Sequence, residues 1–496
     1  LHNDINTLGQ LKQSTYKSRG IKDEIRENLI AKLEKKEQLF QSIVGYEDTV
    51  IPDLQRALLS RHNILFLGLR GQAKTRIARL MVELLDEYMP IVKGSELNDD
   101  PYNPLSRFAL DLIEEMGEET PIEWVHRSKR YAEKLATPDV SIADLIGDAD
   151  PIKAATLKLP YSDERVIHFG LVPRANRCIF VINELPDLQA RIQVALFNIL
   201  QEGDIQIRGF KLRLPLDLQF VFTANPEDYT NRGSIVTPLK DRIQSQILTH
   251  YPKNIIDAAA ITKQEARILP IQSERVNLFD WAPELIEQIA FEARESEYVD
   301  AKSGVSARLT ISAYEMLVSS IERRGLLQGI PKANMRIADL WGVIPAITGK
   351  VELVYEGEQE GTANVAQILL GKALRSVFKN YFPDPEASRK TKSKSPYDTT
   401  IQWFGQGNSL EIMMNMTDDE YKKSLMDIPG LADLIEKSID YDGEVEKLFL
   451  MEFALHGMAE FSLISKMNIG TGNRFKDILS GMFEIKQDES EDEELY

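Results

Sequence analysis

A single cysteine, Cys178, stands in a chain of 496 residues, which excludes an intrachain disulfide and any thiolate zinc cluster and fits a reducing compartment. Histidine is almost as scarce. His2, His62, His126, His168, His250 and His456 show no i, i+4 pairing or shared spacing, so a histidine metal site has no support. No Gly-x-Ser-x-Gly elbow occurs, and Cys178 lies inside an apolar run where a core role is expected, so covalent hydrolase chemistry is not indicated. Long apolar runs are missing as well: none approaches the roughly 18 residues that a membrane span needs. The opening LHNDINTLGQLKQSTYK lacks the apolar core of a signal peptide, and the expected location is cytoplasmic. Positive charge is in deficit, with 59 Lys plus Arg against 77 Asp plus Glu and a formal net charge of -18. Such a surface repels phosphate backbones and anionic lipid on average, which argues against general nucleic-acid binding while leaving a local basic patch open.

What is present is ordinary globular material, 43% hydrophobic and 27% charged, in a length that suggests about three domains. Residues 1–40 are polar with apolar residues at helical spacing, and read as an N-terminal helical extension. Residues 41–255 alternate apolar strands (NILFLG, CIFVINE, LQFVFTAN) with helical stretches, the pattern of an α/β layer with a mainly parallel sheet. Residues 256–382 read as a helical domain, 383–398 (PDPEASRKTKSKSPYD) as a linker, 399–485 as a helical C-terminal region and 486–496 as an acidic tail. The stripe Val445, Leu448, Met451, Leu455 and Met458 reads as core. The glycine-containing NIGTGNRF reads as a turn rather than a second phosphate loop.

The segment NILFLGLRGQAKTRIARL carries the strongest chemistry: an apolar strand, a turn through Gly68, Leu69, Arg70, Gly71 and Gln72, then Ala73, Lys74 and Thr75 opening a helix. Backbone N–H groups of such a turn and the positive start of its helix cradle phosphates, the lysine reaches the outer phosphates and the hydroxyl ligates magnesium. The competing reading is a glycine-containing turn with a surface lysine. Position 73 usually holds glycine in this pattern; Ala73 is expected to take helical dihedrals there at no cost. The run Cys178–Ile182 delivers Asn183 and Glu184 to the end of a strand, where parallel sheets bind ligands, and Glu184 is a carboxylate suited to polarising an attacking water. The next strand ends at Asn225, whose amide suits positioning that water or a phosphate; taken alone it reads as a turn residue before Pro226.

In this order the segments resemble the AAA+ ATPases of the MoxR and magnesium-chelatase I-subunit branch, over roughly residues 40–350. GLRGQAKT resembles the Walker A loop, IFVINEL resembles Walker B, and Asn225 in FTANPEDY matches sensor 1. EGDIQIRGFKLRLP and ATPDVSIADLIGDADP resemble that branch's pre-sensor-1 and helix 2 insertions. The resemblance implies Arg242 in TPLKDRI as arginine finger, Arg308 in GVSARL as sensor 2, and Val44, Gly45 and Tyr46 in IVGYED as the adenine pocket. It implies an AAA+ core with a helical lid, ATP and Mg2+ as cofactors, Thr75 and Asn183 as metal-facing residues, and a homo-oligomeric ring, a hexamer in relatives. It further implies remodelling of a separate partner protein carrying a von Willebrand factor A domain. The alternatives are the motor subunit of a true magnesium chelatase, a nucleotide-binding switch, and a helicase-like role that the net charge opposes. One departure matters: Asn183 stands where the family has aspartate. A unit charge pair is worth about 4 kcal/mol at ~4 Å near a protein surface, so weaker metal binding and slower hydrolysis are expected.

Overall fold

The computed structural model describes residues 5–160, 163–207, 213–226, 234–386, 395–469 and 472–478, with the side chains of residues 198, 204 and 206 left aside. The acidic tail at 486–496 and residues 387–394 of the linker lie outside the described residues. The chain divides into two units, Leu1–Tyr251 and Pro252–Tyr496.

Apolar residues in the first unit alternate along strands that are buried on both faces, which requires a layer on each side of the sheet. Five strands, β1 (Ile64–Leu67), β2 (Tyr131–Leu135), β3 (Cys178–Asn183), β4 (Leu218–Ala224) and β5 (Ser245–Leu248), form one sheet in the order β5-β1-β4-β3-β2. Every pairing is parallel. Ile64, Phe66, Ile179, Val181, Val221 and Ile247 face one cluster, into which helices α1 (Ile21–Glu34) and α2 (Val50–Leu59) send Ile25, Leu29, Leu54 and Leu58. Leu65, Phe180, Ile182, Phe220 and Phe222 face the other cluster. The α/β class with a mainly parallel sheet is therefore present. The segment read as an N-terminal extension covers one face of this sheet, and its Glu24 takes both terminal nitrogens of buried Arg130 at 2.7 Å. Cys178 is buried at the start of β3, and burial pushes its thiol up to about 12, as befits a core residue.

Two short antiparallel pairs stand outside this sheet, Asp204–Gln206 with Arg213–Pro215 and Gly147–Ala149 with Ile167–Phe169. Helix α3 (Lys74–Leu80) follows β1, and helix α4 (Ala190–Glu202) follows β3.

The second unit is mainly helical, with α5 (Trp281–Glu295), α6 (Ala307–Gln328), α7 (Thr362–Tyr381) and α8 (Gly443–Glu460) around a single apolar cluster that runs from Val276 to Phe475. The regions read as lid and C-terminal region thus share one core. Helix α8 is buried from Leu448 to Met458 on every side, so the stripe seen in the sequence is core; only Val445 of it is exposed. The region is not wholly helical, which corrects the sequence reading: β6 (Leu410–Met413), β7 (Ser465–Asn468) and β8 (Gly472–Lys476) form an antiparallel sheet in the order β6-β8-β7. SKMN and GNRFK are short and polar, so they give no alternation to read. Of NIGTGNRF, Asn468 ends β7 and Gly472–Phe475 lie in β8, while the two residues between Ile469 and Gly472 lie outside the described residues. Among the described residues no helix is long and apolar enough to cross a membrane.

Candidate active site

The C-terminal ends of β1, β3 and β4 meet at one edge of the sheet, and the polar residues of the three motifs follow them there. After β1 the chain passes Gly68, where a Cβ would lie 2.1 Å from the Thr249 hydroxyl and 2.2 Å from Gln72 Oε1, so a larger residue there would have to displace the Thr249–Gln72 hydrogen bond. Gly71 takes a φ of +71°. Ala73 does so as well, at φ +56° and ψ +14°, and this corrects the expectation of a strain-free helical alanine. A left-handed conformation costs an L-residue about 1–2 kcal/mol; sequence reveals the residue type at 73 but not its dihedrals.

Lys74 is buried at the start of α3, and its ammonium donates to the Gly68 carbonyl, to the Leu69 carbonyl at 2.9 Å and to Asn225 Oδ1 at 2.6 Å. The other end of the Asn225 amide donates to Glu184 Oε2 at 2.8 Å. Lysine, amide and carboxylate thus form one continuous chain across β1, β4 and β3. Glu184 also has a left-handed backbone, φ +55°, and its N–H donates to the Thr223 hydroxyl at 3.1 Å. Thr75 donates from Oγ1 to Asn183 Oδ1 at 3.0 Å. These two neutral oxygens are hard donors of the kind Mg2+ accepts, so the residues present fit that ion. Among the described residues no group of three or more His, Cys, Asp or Glu side chains is placed to hold a metal.

Two parts of the site escaped the sequence reading. Glu133, on β2, accepts from Asn183 Nδ2 at 2.6 Å and from Arg79 and Tyr131 on its other oxygen. YAEKL is an edge strand with partly exposed residues, so it lacks the apolar run that revealed β1, β3 and β4. Hydrogen bonding to Glu133 raises the Arg79 guanidinium, and burial followed by that same carboxylate raises the Tyr131 phenol. The second part is the brace beneath the loop, at the end of β5. Thr249 donates to Gln72 Oε1 at 2.7 Å, Tyr251 donates to the Arg70 carbonyl at 2.9 Å, and the Tyr46 hydroxyl lies 3.1 Å from the Gln72 carbonyl and 2.7 Å from that of His250. Burial raises the Tyr46 phenol above its usual range. Tyr46, which the sequence did single out, therefore stands beside the loop, its ring edge-on to His250 at 4.9 Å.

Arg242 ends the helix Thr237–Arg242, with its guanidinium 3.7 Å from the Phe197 ring centroid, donating to Gln201 at 2.9 Å and to the Pro238 carbonyl at 2.8 Å. Arg308 is exposed in the first turn of α6, just after the capping residue Ser306. It belongs to the second unit. A cavity of about 700 Å3 elsewhere in the first unit is lined by Leu97, Phe108, Ile152, Leu157, Phe169 and Leu214. No residue of the loop lines it, and the chemistry-bearing groups stand at the sheet edge.

No protein-family model matches the chain. Among solved structures it is similar to NtrX from Brucella abortus, at 14% identity over 58% of this chain and 55% of that one, with a TM-score of 0.34. It is also similar to a model of the complex between subunits BchI and BchD of magnesium chelatase, at 19% identity over 64% of this chain and 97% of that one, with a TM-score of 0.34. A RuvB variant from Thermogota maritima matches at 12% identity over 66% and 69%, with a TM-score of 0.31. The chain thus spans 55% of the length of NtrX. At these identities and TM-scores the likenesses carry no argument about function, which rests on the site itself.

Proposed function

We propose that the chain is a P-loop ATPase of the AAA+ type, of the MoxR and magnesium-chelatase I-subunit kind, that works as a ring on a separate protein partner. The observation that carries this reading is the continuous chain from Lys74 through Asn225 to Glu184. It joins a phosphate-binding cation to a carboxylate placed to accept a proton from water, through an amide that fixes both. The first-turn amides of α3 and the loop N–H groups bind the phosphates of ATP, and Lys74 exchanges carbonyl oxygens for phosphate oxygens. Thr75 and Asn183 would hold Mg2+, which supplies charge neutralisation on the phosphates. Glu184 takes the proton of the attacking water, and Asn225 keeps it aimed.

Arg242 and Arg308 are assigned as the arginine finger and sensor 2 by motif order. Stacked on Phe197, Arg242 serves a neighbouring subunit's nucleotide, and an arginine finger is worth about a thousandfold or more in rate. The partner in this reading is a separate protein with a von Willebrand factor A domain. The test is phosphate release from ATP and Mg2+ across a protein concentration series, with Lys74→Ala and Glu184→Gln. Specific activity that rises with concentration and vanishes in both variants supports a ring ATPase. ATP bound without turnover at any concentration supports the second reading, a nucleotide switch, which Asn183 favours because it brings no charge to the metal.

A further inference from the structure

We propose that Glu133 is the positioning residue that turns the Asn183 amide so that its oxygen serves where an aspartate is usual. The inference rests on the nucleotide site described above. Strands β2 and β3 pair in parallel with Glu133 opposite Val181 and Leu135 opposite Asn183. That register brings the Glu133 carboxylate beside the Asn183 amide, with Nδ2 donating to Oε1 at 2.6 Å. A carboxylate only accepts, so the amide nitrogen must face it, and Oδ1 is turned to the hydroxyls of Thr75 at 3.0 Å and Thr223 at 3.2 Å. An oxygen is thereby presented to the metal-facing side.

The other Glu133 oxygen accepts from Arg79 Nε at 3.0 Å, Arg79 Nη2 at 2.9 Å and the Tyr131 hydroxyl at 2.9 Å, which fixes the carboxylate in turn. An aspartate at 183 would set two carboxylate oxygens against each other at the present spacing, and like charges that close repel. Asparagine at 183 and glutamate at 133 are therefore two halves of one arrangement.

The residue pair can be exchanged. In Glu133→Gln, Arg79 and Tyr131 claim the new carbonyl oxygen and leave its NH2 facing Asn183. Asn183 then flips its own carbonyl to meet that NH2, and a nitrogen faces Thr75. Adding Asn183→Asp restores an oxygen toward Thr75 while accepting from the Gln NH2. The experiment is equilibrium binding of a fluorescent ATP analogue to the full chain, in EDTA and across a MgCl2 series. Loss of a group that orients a metal ligand typically costs 10–100-fold in metal affinity. Glu133→Gln is expected to reduce the tightening by Mg2+ about tenfold while metal-free binding stays as it was, which also reports an intact fold. The double variant recovers the tightening, and Asn183→Asp alone does not exceed the unaltered chain. Unchanged Mg2+ coupling in Glu133→Gln, or a double variant no better than it, overturns the proposal while leaving the nucleotide reading standing. Failure of the unaltered chain to bind the analogue overturns both.

Discussion

Buried charge is handled differently at the candidate site of the first unit and in the core of the second, although the first unit also holds one locked pair, Glu24 with Arg130. In the second unit Arg324 donates to both oxygens of Asp339 at 2.9 and 2.8 Å, and Arg336 reaches Asp418 at 2.6 Å while lying 4.3 Å from the Tyr421 ring centroid. Glu452 there accepts from the backbone N–H of Ile337 at 2.8 Å and of Ala338 at 3.1 Å, and from the Tyr421 hydroxyl at 2.7 Å. These charges are locked to fixed partners. At the sheet edge of the first unit, Lys74 donates to two loop carbonyls and an amide, neutral oxygens that an incoming phosphate can replace. Backbone strain divides in the same way. Of the nine non-glycine residues with positive φ among the described residues, eight precede Tyr251 and one, Ser462, follows it. Ala73 and Glu184 are two of the eight. At Ala73 and Glu184 strain coincides with exchangeable partners, as at functional sites, while the other six strained residues of the first unit lie elsewhere and the second unit's buried pairs sit in a fixed core.

The sharpest way to break this contrast is to remove one charged group from each region. Lys74→Ala or Glu184→Gln is expected to lower ATP hydrolysis by about a hundredfold to a thousandfold or more, on the scale of losing one preorganised electrostatic group, with the melting transition of the second unit unmoved. Asp339→Ala does the reverse. It strands buried Arg324, a loss of about 3–5 kcal/mol for a broken buried pair, read as a lower denaturant midpoint for the second unit. Binding of nucleotide by the first unit is expected to persist.

A smaller effect separates the regions by pH. His456 is fully buried in the second unit, with ring centroids 5.0 Å from Trp341 and 5.0 Å from Phe475, and burial first, then Lys466, hold its imidazole well below the usual range. The folded imidazole stays neutral while the unfolded chain takes up a proton below about pH 6.5. The unfolded state then binds more protons, so stability falls with falling pH, by up to about 1.4 kcal/mol per unit. Buried Glu452, whose carboxyl is raised, contributes with the opposite sign. The difference between His456→Leu and the unaltered chain at each pH isolates the imidazole. It is expected to grow in favour of His456→Leu between pH 7 and pH 5 in denaturant titrations of the second unit.

Sequence made legible what apolar strands carry. NILFLG, CIFVINE and LQFVFTAN each carry a strand buried on both sides, and the candidate residues singled out at or beyond their ends, Lys74, Asn183, Glu184 and Asn225, lie together in the structure. Glu133 and the Thr249–Tyr251 brace lie on, or just beyond, strands β2 and β5, whose residues are partly exposed. Polar edge strands look like loops in one dimension, and which side chains meet across them depends on register. Ala73 shows a second blind spot: its type was read correctly, its φ was not. The role proposed for Arg242 depends on a second copy of the chain, which no local pattern contains.

Ala73→Gly has the smallest expected effect and the most to say about the first unit. Glycine adopts a φ of +56° without the Cβ clash that alanine suffers, and its greater freedom in the unfolded chain offsets part of that relief. The net gain is about 1 kcal/mol, read as a higher melting midpoint of the first unit. Nucleotide affinity is expected to stay within about twofold, the outcome for a strain at Ala73 that is the same before and after binding. If the strain were instead released when nucleotide binds, it would contribute to binding in the alanine chain and not in the glycine one. The same kilocalorie would then appear as an affinity about fivefold weaker in the variant. Measuring both quantities on one preparation decides whether this loop stores strain for the nucleotide or merely tolerates it.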